Sequence, residues 1–220
     1  MKFFIAAPFG NYLKFNSRSN IIPVTGTWTL IYRGGFIYRM WKIATTMRFD
    51  RKNNGWINKL GLPNPGIRIG LKKTKPNEIL SIAAIDNNDF IDLANLIPAN
   101  QSVEINLSCP NLDDKEPISW ASLDLFTANQ NERKYCIAKI SHETTIDQLS
   151  YLIDQLGFKQ IHCCNTLPVS TGGLSGKALI PYVENLIKLI RQNWGNSIEI
   201  IAGGGAVSYT HLTLPTNKEV

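Results

Sequence analysis

From about residue 79 onward, short apolar runs alternate with longer amphipathic ones. Runs rich in Ile and bounded by polar residues predict strands at 79–85 ("ILSIAAI"), 103–109, 135–141 ("YCIAKIS"), 161–166 ("IHCCNT") and 198–205 ("IEIIAGGG"). Helical spacing fills the gaps. It predicts helices over 89–99, which opens on an Asp, over 144–157 and over 178–195. In the second of these, Ile146, Leu149, Leu152, Ile153 and Leu156 share a face and Gly157 closes it. In the third, Pro181 is tolerable only because it falls in the first turn. Strands joined by helical crossovers are parallel β/α units. Each of these strands ends in polar residues or glycine, the end that carries the active site in a (β/α)8 TIM barrel. A doubly wound sheet is the alternative. It announces itself with a glycine fingerprint after the first strand, and "AAPFGNY" has none. The first 75 residues are less regular. Residues 22–35 read as one or two strands with a Gly-Gly turn, and 55–67 as a short helix entering a rigid loop of Gly and Pro.

The strand ends hold the candidate chemistry. In "SVEINLSCPN", Val103, Ile105 and Leu107 share one side, and the strand then ends in Asn106, Ser108, Cys109, Pro110 and Asn111. Pro110 restricts Cys109 to an extended conformation and stops the strand. Amides with no charge do not suit phosphate or metal. They offer both donor and acceptor, and so suit a neutral heterocycle with alternating N–H and C=O groups. Asn58, Asn106, Asn111 and Asn165 match such a ring, and a thiol beside it can take a proton from carbon. Lys139 sits in an otherwise apolar strand, where spacing alone allows an inward or an outward side chain. Two glycine-rich segments, in 164–176 and 202–205, follow consecutive late strands, where barrels bind phosphate through backbone N–H groups.

Composition narrows the class. The 220 residues carry 44% apolar and 18% charged side chains, as a soluble globular protein does. The net charge of +6 is scattered and reads as solvated faces, so nucleic acid is not expected as a partner. No apolar run approaches the ~20 residues of a membrane helix, and the short apolar N-terminus reads as a first strand, not a signal peptide. Cys109, Cys136, Cys163 and Cys164 contain no C-x-x-C pair, so no metal site is expected. Apart from Cys109 they read as core packing in a reduced, cytoplasmic compartment. His142 and His162 read as structural, and His211 stays unassigned.

The segments "INKLGLPNPG", "EINLSCPN", "IAKIS", "NTLPVSTGGLSG" and "IIAGGG" occur in the order seen in dihydroorotate dehydrogenases. The resemblance covers roughly residues 20–207 and implies a (β/α)8 barrel that holds FMN at its mouth and oxidises dihydroorotate to orotate in pyrimidine biosynthesis. It implies that Cys109 is the base, as in the soluble, cysteine-base class. It further implies that Asn58, Asn106, Asn111, Asn165 and Thr166 hold the pyrimidine, and that Gly61 and Leu62 offer backbone N–H groups to the substrate carboxylate. Lys139 resembles the lysine beside the flavin ring. Thr27, Ser175, Gly176, Gly204 and Gly205 resemble flavin contacts. The resemblance is compatible with a homodimer.

Two features depart from the family. Gly26 stands in "VTGTWT", where the family usually has a lysine. After "AGGGAV" the family continues with a helix and an eighth strand, whereas "SYTHLTLPTNKEV" has no helical period and resembles translated adapter sequence. The expectation is therefore a partial barrel over 1–207, its eighth strand missing, and an irregular tail over 208–220. Two other readings fit parts of the pattern: a flavin-free barrel acting on a sugar phosphate, and a flavin-binding homologue without turnover.

Overall fold

The computed structural model describes residues 2–7, 9–13, 20–107 and 119–205. The strands and helices run β1 (Phe3–Ile5), β2 (Ile21–Trp28), α1 (Phe36–Thr46), β3 (Arg48–Asp50), β4 (Gly55–Asn58), α2 (Ile67–Lys73), β5 (Ile79–Ile82), α3 (Asp89–Leu96), β6 (Val103–Asn106), α4 (Asp124–Thr127), β7 (Cys136–Ile140), α5 (Ile146–Ser150), β8 (Gln160–Cys163), β9 (Leu167–Val169), β10 (Gly172–Gly176), α6 (Ile180–Trp194) and β11 (Glu199–Ala202). Seven strands form one parallel sheet in the order β1-β2-β5-β6-β7-β8-β11. This is the strand order of an incomplete TIM barrel, as the alternation of strand and helix patterns predicts.

Period-two alternation sorts the side chains of this sheet. Leu80, Ile82, Val103, Ile105, Cys136, Ala138, Ile140, Ile161 and Cys163 pack with helix residues such as Phe90, Leu149, Leu152 and Val183 in the main core. The opposite face holds a smaller apolar cluster of Val24, Ile79, Tyr135, Ile137 and Ile201. Polar residues lie further along the same strands on that second face, the barrel interior. The helix over 144–157 starts at the predicted place. Thr145 caps it, accepting from the Gln148 N–H, while Gln148 accepts from the Thr145 N–H. It then loosens into a π-helical turn over Tyr151–Gln155.

The N-terminal third departs from expectation. Residues 55–58 form a strand, not a helix. Gly55 and Ile57 are buried, Trp56 is exposed, and the strand pairs with the neighbouring β3 on one side and with β10, more than a hundred residues away, on the other. β3, β4, β10 and β9 build a four-stranded antiparallel sheet, so the glycine-rich segment after β8 is a hairpin, not an open loop. Residues 22–35 supply one strand, β2, and the chain then passes through Gly34 and Gly35 into a helix, α1. Phe36, Ile37, Met40 and Trp41 of this helix are exposed. Its polar residues reach back to the protein: Arg39 donates to the Pro63 carbonyl and the Tyr12 hydroxyl.

Helix α2 is fixed against β2 by a missing side chain. A Cβ on Gly70 would come 2.6 Å from the Trp28 indole, which is itself buried. Gly70→Ala gains about 1 kcal/mol of helix propensity and loses about 1–3 kcal/mol to overpacking. The expected result is a lower urea midpoint with a shift in Trp28 fluorescence. A stabilised variant would mean that the helix does not rest on Trp28.

Candidate active site

The interior face carries one continuous polar chain across neighbouring strands. Thr27 Oγ1 lies 3.1 Å from Ser81 Oγ, and Ser81 Oγ donates to Glu104 Oε1 at 3.1 Å. His162 Nδ1 lies 2.7 Å from Glu104 Oε2. Ser81, Glu104, Lys139 and His162 are all buried. The parallel register sets Lys139 between Asn106 on one side and His162 on the other. Lys139 shares its face with Ile137, so the inward reading holds. Burial pushes the Glu104 carboxyl up, but the Lys139 charge and then His162 and Ser81 outweigh it, and the carboxyl is held at about 2. Burial pushes the His162 imidazole down, against the attraction of Glu104. The pair is therefore an ionised carboxylate accepting Nδ1–H from a neutral ring. Gly203 makes room for that ring, because a Cβ there would collide with His162 Nε2.

Amides and carbonyls gather at the strand ends above this chain. Asn165 Nδ2 donates to Asn106 Oδ1 at 3.3 Å, which brings two of the predicted amides together. Asn58 ends β4, and its side chain donates to the Gly173 carbonyl at 3.4 Å. Thr166 stands over Gly173, where a Cβ would meet its hydroxyl. Gly61 and Leu62 lie in the loop after β4, both in the left-handed region at φ 71° and 55°. For Leu62 that conformation costs about 1–2 kcal/mol. Asn64 offsets it: the fully buried amide donates to the Leu62 carbonyl at 2.8 Å and accepts from the N–H groups of Gly66 and Thr29. Arg33 caps the Gly61 carbonyl at 3.2 Å.

The glycines meet at the start of α6. A Cβ on Gly205 would stand 3.0 Å from the Gly176 carbonyl oxygen and 3.3 Å from Ile180 N. Both glycines have positive φ, and the helix begins at Ile180. This cradle of bare backbone at a helix N-terminus suits a phosphate group. Ser175 is turned elsewhere, its hydroxyl donating to the Trp56 carbonyl at 3.0 Å. Gly26 is closed on every side. Asn11 bonds both its N–H and its carbonyl, and a Cβ would fall 2.5 Å from the Ser81 carbonyl oxygen. The lysine of the resembled family therefore has no place on this backbone.

Cys109 and Asn111 lie outside the described residues, as do residues 208–220. Cys136, Cys163 and Cys164 are buried, and burial pushes their thiols up to about 11, 12 and 11, which makes them poor nucleophiles. No cluster of metal-ligating side chains occurs among the described residues, and no helix among them is long and apolar enough to cross a membrane. Sequence reasoning missed Glu104, His162, Asn64 and Asn11. A signal existed for the first: Glu104 alternates with Asn106 on the face opposite Val103 and Ile105.

Residues 45–210 match the family described as dihydroorotate dehydrogenase. Dihydroorotate dehydrogenase A (fumarate) of Lactiplantibacillus plantarum is 27% identical over 183 residues, 69% of this chain and 59% of that one. The catalytic subunit of dihydroorotate dehydrogenase B (NAD(+)) of Fusobacterium nucleatum is 26% identical over 193 residues, 74% and 62% of the two chains. The corresponding subunit of Oceanobacillus iheyensis is 30% identical over 196 residues, 74% and 63%. The chain thus spans about three fifths of the length of these relatives. The crystal structure of DHODH in complex with ferulenol from Eimeria tenella superposes with a TM-score of 0.57 at 18% identity, over 87% of this chain and 65% of that one, a likeness of fold.

The interior pair dictates a pH response. Both Glu104 and His162 have folded-state values below their ordinary ones, so the unfolded chain binds more protons on acidification. Stability should fall first below pH about 6.5, where the unfolded histidine protonates. It should fall again from about 4.5 toward about 2 as Glu104 is titrated. Urea midpoints across a pH series measure this, and Glu104→Gln should flatten the lower limb. A variant whose acid limb matches the parent's would show that Glu104 does not carry it.

Proposed function

The chain belongs to the dihydroorotate dehydrogenase family, and on that premise we propose that the protein oxidises dihydroorotate to orotate in pyrimidine biosynthesis with FMN as cofactor. The observation that carries the reading is the stacking of functions along one face: paired amides of Asn106 and Asn165 at the mouth, and Lys139 buried beside them. An amide pair reads the N–H and C=O edge of a pyrimidine-dione. Asn58, Thr166 and Asn111 extend that recognition, and the strained loop at Gly61 and Leu62 faces the substrate carboxylate.

The residues present fit FMN. The bare backbone of Gly176, Gly204 and Gly205 at the α6 N-terminus would hold the phosphate, Thr27 would line the approach, Ser175 would contribute only through its backbone because its hydroxyl is committed to Trp56, and Lys139 would supply a cation beside the ring. FMN, when bound, supplies the two-electron acceptor for the hydride that leaves C6. Cys109 takes the C5 proton as the thiolate, so the two C–H bonds of the substrate break with one proton held on sulfur. Lys139 favours negative charge in its neighbourhood and thereby a reduced, anionic ring. The three unpaired, buried thiols support a reducing, cytoplasmic setting.

Anaerobic mixing of the FMN-loaded protein with dihydroorotate should bleach the flavin absorbance, at a rate that climbs as pH approaches about 8.5, the ordinary thiol value. Cys109→Ala should retain FMN and slow bleaching by about 10²–10⁴-fold, the usual contribution of a general base. A protein that binds FMN but never bleaches is a flavin-binding homologue without turnover. One that binds no FMN removes the flavin reading altogether.

A further inference from the structure

We propose that Glu104 and His162 are positioning residues for Lys139: the buried carboxylate is the counter-ion of the ammonium, and the imidazole holds that carboxylate in place. The effect on flavin rests on the reading of Lys139 as the cation beside the ring, while the pairing itself does not.

A buried ammonium needs a compensating charge. Three carboxylates are buried among the described residues: Glu78, Asp89 and Glu104. Asp89 is engaged on the helix side, accepting from the N–H groups of Ile85 and Asp86. Glu78 accepts from the Lys75 N–H before β5 begins. Only Glu104 stands on the interior face, one step below Asn106, which is itself the register partner of Lys139. Each oxygen of Glu104 is held from outside the β6 strand, one by Ser81 and the other by His162. The anion is therefore fixed, and the flexible four-carbon lysine is the member that must be told where to sit. His162 can serve because Gly203 has no side chain, so the Nε2 edge of the ring fits against the backbone just after β11. Since Gly26 admits no side chain, the field at the mouth depends on this one anchored cation more than it would with a second lysine nearby.

The first measurement uses the ligand-free chain. Glu104→Gln preserves shape and keeps one acceptor oxygen, for His162 Nδ1–H, while its NH2 can donate to the Ser81 hydroxyl, but it removes the charge. Glu104→Gln and Lys139→Met should each lower the urea midpoint, and the double variant should regain about half of the summed loss, because neither charge is then left unpaired. Strictly additive losses would overturn the pairing. The second measurement is the flavin reduction potential of the FMN-loaded protein. Glu104→Gln should lower it toward the value of Lys139→Met, because an unpaired buried ammonium loses its proton or leaves the interior. The same change in the Lys139→Met background should have no effect. A shift of equal size in both backgrounds, or a rise, would overturn positioning. His162→Asn, which keeps a donor at the Nδ1 position, should hold the parental potential, whereas His162→Ala should shift it as Glu104→Gln does. Failure of FMN to bind would defeat the flavin reading and leave the first measurement to decide the pairing.

Discussion

The register of the parallel strands is the constraint on which the rest of this structure depends. Successive residues of a strand point to opposite faces, so Lys139, flanked by Asn106 and His162, must share the interior with them. A slip of one residue would exchange Lys139 with Ala138 and Glu104 with Val103 or Ile105. Buried charge would then meet the helices, and apolar side chains would line the site. The helix-side core of Val103, Ile105, Cys136, Ala138 and Ile161 enforces the register by simple burial. Hydrophobic packing on one face thus positions the electrostatics on the other.

The mouth is built by a different device. The antiparallel sheet of β3, β4, β10 and β9 ties residues near 55 to residues near 175, and so brings Asn58 to Gly173 and Thr166. Local hydrogen bonding then shapes the loop that follows. Asn64, between two prolines, satisfies the Leu62 carbonyl and the Gly66 N–H at once, and holds a leucine in a conformation that leucine rarely adopts. The site has a rigid floor of register-fixed side chains and a rim of loops pinned by single amides.

Charge ties floor to rim. Within the described interior the charged groups are the Glu104 carboxylate and the Lys139 ammonium, with the neutral His162 imidazole bonded to the carboxylate. Asn11 occupies the Gly26 backbone completely. The electrostatic character of the site therefore rests on few buried residues, of which Glu104 and His162 are held by hydrogen bonds.

Much of this was legible along the chain. Short apolar runs and period-3.6 patterns from residue 79 onward marked the parallel strands and their helices, because the strands are buried along their length, the helices bury one side, and both kinds of burial are written in local spacing. The polar strand ends marked the amides of Asn106 and Asn165 and the glycines that meet at the start of α6, because uncharged polar residues and bare backbone stand out against the apolar strands they follow. Two kinds of feature were not legible. The strand over Gly55–Asn58 is completed by β10, more than a hundred residues away, and in the helix over Phe36–Thr46 several apolar residues face outward, so the usual sign of burial is reversed. Glu104 and His162 are 58 residues apart. Each reads singly as an isolated polar residue in a strand. Only the alignment of β6, β7 and β8 places imidazole on carboxylate beside the strand that carries the lysine, because a pairing between side chains on separate strands is a property of register, and register is decided by the whole core at once.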